Sequence, residues 1–324
     1  MAQTAAGARG AARARSEVTV RAVDLVKRYH AFTAVGGISF ETRPGECFGF
    51  LGPNGAGKTS TMRMIGCSSP VTSGRLEVMG LDVRAHPRRI KRRLGVVAQE
   101  NNLDEELTVR ENLRVYARFF GLGGETARRR RDELIEFVQL TEKADVNVRF
   151  LSGGMRRRLM IARALVSEPQ IMILDEPSTG LDPQARHVVW EKLRRLKRED
   201  RTLLLTTHYM DEAEQLCDRL VVMEGGRIVA EGRPRDLIRE HVARDVVEIS
   251  SSPAENRRVL ERFADSVSGH EMLEDRLRLF SDDGEGLLHQ LTGNETGLAG
   301  AEFQYRRATL EDVFLKLTGR TLNE

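Results

Sequence analysis

Short apolar runs alternate with segments of helical periodicity along the first two thirds of the chain, from residue 18 to about residue 233. This alternation is typical of a β-sheet with helices packed on its faces. Residues 171–174 and 203–205 are continuously apolar, as strands covered on both faces are. We therefore predict an α/β domain whose central strands include these two runs.

The strand-like runs disappear between residues 107 and 165, where helical patterns replace them. Gly121, Gly123 and Gly124 interrupt these patterns, as glycines between consecutive helices do. The stretch at about 107–165 therefore predicts a helical subdomain inserted into the α/β domain.

The spacing of the elements becomes much shorter after Gly232 and Pro234. The order of the patterns, β-α-β-β-α-β, suggests a small α+β domain that is ferredoxin-like. The predicted elements are a strand at 246–249, a helix at 255–263, a hairpin through 276–280, a helix at 286–291 and a strand at 303–306. A last helix has an apolar face that must pack on another surface. That face consists of Leu310, Val313, Phe314 and Leu317.

The composition agrees with a globular chain that does not itself form a pore. Of its 324 residues, 40% are hydrophobic and 31% are charged, a balance that favours a packed core with a solvated surface. The apolar runs are far shorter than the ~18 residues needed to cross a bilayer. Cys47, Cys67 and Cys217 match no metal-ligand or disulfide spacing, which fits a reducing cytoplasm.

Three parts of the chain follow from these patterns. Residues 1–16 are rich in Ala, Gly and Arg and have no apolar core of the kind a secretory signal needs, so we expect a disordered tail. Residues 17–235 are the predicted α/β domain with its helical insertion. Residues 236–324 are the predicted C-terminal accessory domain.

Basic residues cluster at 88–93, 128–131 and 156–158, although the net charge is only +3. Aromatic residues are not interleaved with these clusters, and acidic residues follow closely, which argues against a nucleic-acid surface. We interpret the clusters as solvated helix faces and expect no direct binding of nucleic acid. Contact of some of them with anionic lipid or an acidic partner stays open.

A glycine-rich segment lies between the apolar run 48–51 and a helix-compatible stretch that ends near residue 65. It reads Gly52, Pro53, Asn54, Gly55, Ala56, Gly57, Lys58 and Thr59, and Ser60 follows it. In this context the pattern is that of a phosphate-binding P-loop, since glycines let successive N–H groups point inward and Lys58 reaches the outer phosphates. Thr59 is suited to hold a magnesium ion. The P-loop alone does not distinguish kinases, GTPases and ATPases.

Two carboxylates, Asp175 and Glu176, directly follow the apolar run 171–174. Ligands of open α/β sheets bind at the carboxyl ends of the strands. Asp175 is therefore suited to orient magnesium, usually through a water ligand, and Glu176 to polarise an attacking water as general base. An acidic turn after a strand is common, but beside a P-loop the metal-and-base interpretation is favoured.

A second anion-binding element is indicated by Ser152, Gly153 and Gly154, which lie at the start of a helix-like segment. A helix start of this composition offers backbone donors, a hydroxyl group and the positive end of the helix dipole. A generic helix cap would have the same composition. The order of features along the chain decides between the two interpretations.

That order resembles the ABC (ATP-binding cassette) ATPases over about residues 18–235. The features that carry the resemblance are the P-loop, Gln99, Ser152 to Gly154, Asp175 with Glu176, the segment 178–182 and His208. The resemblance implies that Tyr29 stacks on adenine, that Gln99 touches magnesium and senses a permease, that Asp182 crosses a dimer, and that His208 contacts the γ-phosphate. It also implies that Ser152, Gly153 and Gly154 contact ATP held by a second copy, in a head-to-tail dimer.

The segments 152–159, 181–187, 206–214 and 309–319 are similar to ATPases of nodulation-factor and daunorubicin-type exporters. This similarity implies an ATP- and Mg²⁺-dependent subunit that powers an exporter through a separate transmembrane permease, on the cytoplasmic side of the plasma membrane. Ala98 stands where these proteins often have proline. An importer ATPase and a non-transport ABC ATPase acting on nucleic acid or the ribosome are the alternatives.

Overall fold

Three β-sheets and eleven α-helices make up the part of the chain that the computed structural model describes, residues 18–273, 276–293 and 301–318. The predicted tail at 1–16 lies outside these residues. The strands are β1 (Val20–Tyr29), β2 (Phe32–Thr42), β3 (Cys47–Leu51), β4 (Ser73–Val78), β5 (Leu81–Asp82), β6 (Leu94–Val97), β7 (Ile171–Asp175), β8 (Thr202–Thr207), β9 (Arg219–Glu224), β10 (Arg227–Gly232), β11 (Asp245–Ser250), β12 (Gly269–Met272), β13 (Arg276–Ser281) and β14 (Glu302–Arg307).

The helices lie between these strands and after the last of them. They are α1 (Lys58–Ile65), α2 (Pro87–Lys91), α3 (Val109–Phe119), α4 (Gly124–Phe137), α5 (Gly153–Ala164), α6 (Pro183–Arg198), α7 (Met210–Leu216), α8 (Pro234–His241), α9 (Pro253–Phe263), α10 (Gly284–Thr292) and α11 (Leu310–Thr318). Short 3-10 helices lie at Thr141–Lys143, Val148–Phe150 and Ala264–Ser266.

The central sheet has the strand order β10-β9-β3-β8-β7-β6, and all of its strands except β10 run parallel. Every residue of β7 and β8 is buried, which confirms the prediction of two central strands. Their side chains alternate between two hydrophobic cores, since Ile173 and Leu204 pack on one face and Leu174 and Leu205 on the other. The α/β fold predicted from the sequence is therefore confirmed.

An antiparallel sheet of order β2-β1-β4-β5 packs over one face of the central sheet, with α1 between them. Three phenylalanines, Phe40, Phe48 and Phe50, join the two sheets, and their ring centroids are 5.1 to 5.8 Å apart. Such aromatic packing fixes the strand that leads into the glycine-rich segment.

Residues 107–165 form α3, α4 and α5, and the backbone bridge between Thr108 and Asn147 is the β-type pairing seen in this stretch of described residues. Thr108 and Glu111 form a reciprocal capping box that starts α3. The apolar faces of these helices join the larger hydrophobic core through Leu113, Leu134 and Leu159. The helices therefore share one hydrophobic core with the central sheet.

The C-terminal sheet is antiparallel and has the order β12-β13-β11-β14. Helices α9 and α10 cover one face, where Val247, Ile249, Leu277 and Leu279 form a separate small core. The chain order of these elements is β-α-β-β-α-β, the arrangement of a ferredoxin-like unit.

The last helix, α11, packs against α7 and α8 rather than on its own sheet alone. Leu310, Val313 and Phe314 are buried in the larger core, together with Leu216 of α7 and Leu237 of α8. The prediction that this apolar face packs on another surface is confirmed.

Candidate functional site

Four loops meet at the carboxyl edge of the central sheet because β3, β8, β7 and β6 are consecutive parallel neighbours. The glycine-rich segment follows β3 and His208 follows β8. Asp175 ends β7, Glu176 comes directly after it, and Gln99 follows β6. The order of the strands therefore brings Lys58 and His208, which are 150 positions apart in sequence, into one site.

The glycine-rich segment curls between β3 and α1. Gly57 has a φ of 99°, and a Cβ there would lie 2.4 Å from the carbonyl oxygen of Ala34. Lys58 is buried, and its Nζ donates to the carbonyl oxygens of Gly52 at 2.7 Å and Pro53 at 2.9 Å. The first N–H groups of α1 have no intrahelical acceptor, so the segment presents amides and one ammonium group to an anion.

The Glu176 carboxylate is the centre of the site. Its Oε1 lies 3.3 Å from Nδ1 of His208 and 3.9 Å from Nζ of Lys58. Its Oε2 accepts hydrogen bonds from Nε2 of Gln99 at 3.1 Å and Oγ1 of Thr179 at 3.3 Å. The neighbouring His208 is the main cause that lowers the pKa of Glu176, and it outweighs burial, which alone would raise that pKa. The side chain is therefore in the deprotonated form that a proton acceptor needs.

Lys58 experiences the opposite balance. Burial lowers the pKa of its ammonium group, while the carboxylates of Glu176 and Asp175 counteract that effect. A cation that is buried and only loosely paired is suited to bind a phosphate oxygen, because little of its charge is already neutralised.

Glu176 also has an unusual backbone. Its φ is 48°, in the left-handed region that residues other than glycine rarely adopt. Its N–H is held by Thr206 on the neighbouring strand, with the carbonyl oxygen at 3.1 Å and the hydroxyl oxygen at 3.0 Å. The Thr206 hydroxyl in turn donates to Oδ1 of Asp175 at 2.5 Å. Thr206 thus supports both carboxylates, and sequence reasoning missed it. The visible signal was the pair of threonines, Thr206 and Thr207, at the end of the strand that pairs with β7.

The donors needed for magnesium are present. Oγ1 of Thr59 lies 3.1 Å from Oδ1 of Asp175. Among the described residues, no group of three or more His, Cys, Asp or Glu side chains could hold a metal ion on its own. A hydroxyl and one carboxylate fit Mg²⁺ that takes its other ligands from phosphates and water.

Tyr29 ends β1 beside the start of α1. Burial would raise the pKa of its hydroxyl, but hydrogen bonding with Ser60 and Ser69 and the charge of Lys27 lower it. Nζ of Lys27 lies 4.6 Å from the ring centroid, and the ring is 39% exposed. An exposed aromatic face next to the glycine-rich segment is suited to stack on a base.

Ser152 and Asp182 are the N-cap residues of α5 and α6. The Ser152 hydroxyl accepts from Met155 N at 3.3 Å and the Asp182 carboxylate from Ala185 N at 2.9 Å. The two helix starts are neighbours, because a Cβ on Gly154 would come within 2.8 Å of Ala185. Ser152, Gly153 and Asp182 are exposed, and within the described residues no hydrogen bond links them to the glycine-rich segment.

The structure shows that one interpretation of a basic cluster was wrong at Arg157. The cluster 156–158 was expected to be a solvated face, but Arg157 is only 8% exposed. Its guanidinium donates to the carbonyl oxygens of Ala98 at 2.8 Å and Gln99 at 3.1 Å. It therefore holds the Gln99 segment against α5, a role that no local pattern indicated.

A phosphate-binding segment after β3, a buried carboxylate pair at the end of β7 and a second glycine-rich helix start define a P-loop nucleoside triphosphatase. The sequence profile described as ABC transporter matches residues 35–179. The Nod factor export ATP-binding protein I of Burkholderia thailandensis is 49% identical over 300 residues, covering 92% of this chain and 96% of the relative. The protein of the same name from Rhizobium etli is 44% identical over 320 residues, covering 97% and 99%.

Solved structures agree with these relatives. The ATP-binding cassette MJ0796, in a dimeric post-hydrolysis state bound to ADP and Pi, is 26% identical with a TM-score of 0.62, covering 66% of this chain and 98% of that one. The cbiO1 protein of Clostridium perfringens, part of the ABC transporter complex cbiONQ, is 26% identical with a TM-score of 0.65, covering 77% and 97%.

The chain therefore belongs to the ABC transporter family, as an ATP-binding subunit that hydrolyses ATP. The family resemblance stated from the sequence is confirmed. None of the helices in the described parts of the chain has the length and apolarity required of a membrane span.

Proposed function

We propose that this chain powers an exporter through a transmembrane permease on a separate polypeptide, at the cytoplasmic face of the plasma membrane. The direction of transport rests on the relatives named for export, whose identity of 44–49% extends over nearly the whole chain, the C-terminal domain included. The observation that carries the catalytic part of the proposal is the buried Glu176 carboxylate between His208 and Lys58.

Each group of residues in the site has a separate role in binding or hydrolysing ATP. Tyr29 stacks on adenine, and Gly52 to Ser60 bind the phosphates with Lys58 on the outer ones. Thr59, Asp175 and Gln99 hold magnesium, which neutralises charge on the phosphates when it is bound. Glu176 orients water and accepts its proton, and His208 contacts the γ-phosphate while holding Glu176 in position.

A second copy completes each site in this proposal. Ser152, Gly153 and Gly154 of one copy bind the triphosphate on the P-loop of the other, and Asp182 lies at the same contact. Ser152, Gly153 and Asp182 are exposed, and among the described residues no hydrogen bond links them to the P-loop of their own chain; both observations support a head-to-tail arrangement. The dimeric MJ0796 cassette gives further support.

The permease docks in a cleft beside Gln99. This cleft, of about 1140 Å³, is lined by Val96, Ala98, Gln99 and Asp175 from the sheet edge and by Phe119 from α3. Phe119 is 79% exposed, an apolar group that a partner would cover. A segment bound here would touch Gln99, and through it the Glu176 carboxylate.

The test uses two substitutions that act on the same γ-phosphate from opposite copies. Glu176→Gln keeps the volume and removes the charge, so ATP should bind, remain unhydrolysed and join two copies. Adding Ser152→Arg places a large side chain where the opposing phosphate lies, so ATP binding should persist while dimerisation is lost. Light scattering with and without ATP measures mass, and a fluorescent ATP analogue measures binding.

Arg149→Lys in the Glu176→Gln background is the matched control, because it changes a nearby exposed arginine without adding bulk at the helix start. A Glu176→Gln protein that stays monomeric with ATP, both alone and with its permease, contradicts the composite site. Dimerisation that survives Ser152→Arg contradicts the head-to-tail arrangement.

A further inference from the structure

A fully buried carboxyl group lies beneath the loop that carries His208. Glu212 is in the first turn of α7, five residues after Thr207, and it is 0% exposed. Its Oε1 accepts a hydrogen bond from Nε1 of Trp190 on α6 at 3.0 Å. A carboxyl group of this burial is costly unless its surroundings bind it, so the groups that face it identify its role.

Those groups come from both loops that flank the site. Burial raises the pKa of Glu212, and the hydroxyls of Ser178 and Thr207, the Trp190 N–H and the charge of Arg186 act against that effect. Ser178 lies between Glu176 and Asp182 in sequence, and Thr207 directly precedes His208. Glu212 therefore lies near Ser178 of the loop 177–182 and near Thr207 of the His208 turn, and its hydrogen bond from Trp190 anchors it to α6.

Some buried polar atoms around Glu212 have no hydrogen-bond partner. Oε2 of Glu212 and Oγ of Ser178 are both buried, and neither has a partner with hydrogen-bond geometry; the same is true of Nε of Arg186. A buried polar atom without a hydrogen-bond partner is costly, so a small movement that joins Ser178 or Arg186 to Oε2 of Glu212 would be stabilising. A purely structural carboxylate would be expected to have both oxygens satisfied.

Thr207 and Arg186 also contact the residues on either side of His208. Oγ1 of Thr207 accepts from Tyr209 N at 2.9 Å, so Thr207 fixes the turn around His208. The Tyr209 ring lies 4.2 Å from the His208 ring and 4.6 Å from the guanidinium of Arg186, measured to the centroid. Arg186 N in turn donates to the carbonyl oxygen of Asp182 at 3.0 Å.

We infer that Glu212 is a positioning residue that couples the loop 177–182 to the His208 turn, so that closure of the second copy on Asp182 sets His208 on the γ-phosphate. This inference rests on the proposed function for the place of the second copy. Glu212 touches no nucleotide in this scheme. It acts by forming hydrogen bonds with Ser178 and Thr207 at the same time.

The test measures ATP turnover against ATP concentration for the full-length protein. Glu212→Ala should lower kcat by about 10-fold or more while KM changes by less than about 3-fold, because the binding residues are untouched. Glu212→Gln should recover kcat to within about 3-fold of the native value, since it keeps the volume and the oxygen that accepts from Trp190. Ser178→Ala and Trp190→Phe should each lower kcat and add little further loss to Glu212→Ala.

Two measurements separate this role from stability alone. In the Glu176→Gln background, Glu212→Ala should still bind ATP and dimerise, which shows that the fold and the nucleotide surfaces are intact. If Glu212→Ala fails to fold, Ser178→Ala and Trp190→Phe decide the question through their kcat values. Native kcat in these variants, or losses that add up independently, would overturn the inference. If Glu176→Gln itself retains native turnover, the proposed function fails instead, whatever Glu212 does.

Discussion

At the scale of single residues, the site depends on the strained backbone of Glu176 and on Thr206, which holds it in place. Glu176 adopts a φ of 48°, which is costly for a residue with a Cβ and persists only when neighbouring groups enforce it. Thr206 supplies that enforcement through its carbonyl and hydroxyl oxygens, and the same hydroxyl donates to Asp175. One hydroxyl group thus sets the position of both the proposed magnesium ligand and the proposed base.

Replacing that hydroxyl by a methyl group tests this arrangement. Thr206→Val keeps the shape and removes the donor to Asp175, a loss expected to lower ATP turnover by about 10- to 100-fold, as for hydrogen bonds to charged groups. Thr202→Val is the control, since it makes the same change at the other end of β8, where the hydroxyl accepts from Gly45 N at 3.0 Å. Steady-state turnover per folded protein decides: equal kcat values for the two variants would contradict the role of Thr206.

The residues that sequence reasoning found and those it missed differ in one physical respect. Lys58, Asp175 and Glu176 follow apolar strands, and a strand end is visible in the sequence. Arg157 and Thr206 act through burial and strand register, which depend on residues 30 to 60 positions away. Local patterns carry no information of that kind.

At the scale of secondary-structure elements, the capping residues of α9 mark its start more accurately than the periodicity used to predict it. Helix α9 was expected at 255–263 but begins at Pro253, because Ser252 and Glu255 form a capping box. The charges of the C-terminal sheet were not foreseen at all. Arg306 of β14 binds Glu248 of β11 at 2.9 Å and Asp312 of α11 at 2.7 Å, so charged residues, not only apolar ones, attach the last helix.

The pH dependence of stability should report this attachment. Asp312 is 1% exposed; burial would raise its pKa, but hydrogen bonds from Arg306 and Thr309 lower it below the value of an unfolded chain. Its contribution to stability is therefore present above the unfolded pKa and lost as pH falls through the folded one. We expect Asp312→Asn to cost about 1–3 kcal/mol of unfolding free energy at pH 7 and progressively less below pH 4.

Urea unfolding followed by circular dichroism between pH 7 and pH 3 measures that difference. Glu311→Gln is the control, because Glu311 is the exposed neighbour on the same turn and should have little effect at any pH. A difference between native protein and Asp312→Asn that stays constant over this range would show that the carboxylate does not stabilise the fold through its charge.

At the scale of the whole molecule, the C-terminal domain and the ATPase domain share a core. The sequence predicted that the apolar face of α11 packs on something, but it could not identify the partner. In the structure α11 packs against α8 and α7, and Phe314 belongs to the same hydrophobic core as Leu216 and Leu237. Leu310 N donates to Glu214 of α7 at 2.7 Å. Helix α7 begins two residues after His208, so the last helix of the chain supports the helix that leads out of the nucleotide site.

A shared core means that damage to α11 should unfold the ATPase domain. Phe314 is 1% exposed, and Phe314→Ala should cost about 3–5 kcal/mol of unfolding free energy, as core Phe→Ala changes do. Trp190, the single tryptophan of the sequence, lies in α6 of the ATPase domain and reports on that domain alone by fluorescence. The urea transition followed by Trp190 fluorescence should therefore move to lower urea concentration.

Phe119→Ala provides the matched control, since Phe119 is 79% exposed and the substitution should change the free energy of unfolding by no more than about 0.5 kcal/mol. A Trp190 transition that is unaffected by Phe314→Ala, while circular dichroism reveals an earlier loss of structure, would mean that the two domains unfold independently and that α11 does not stabilise the helix behind His208.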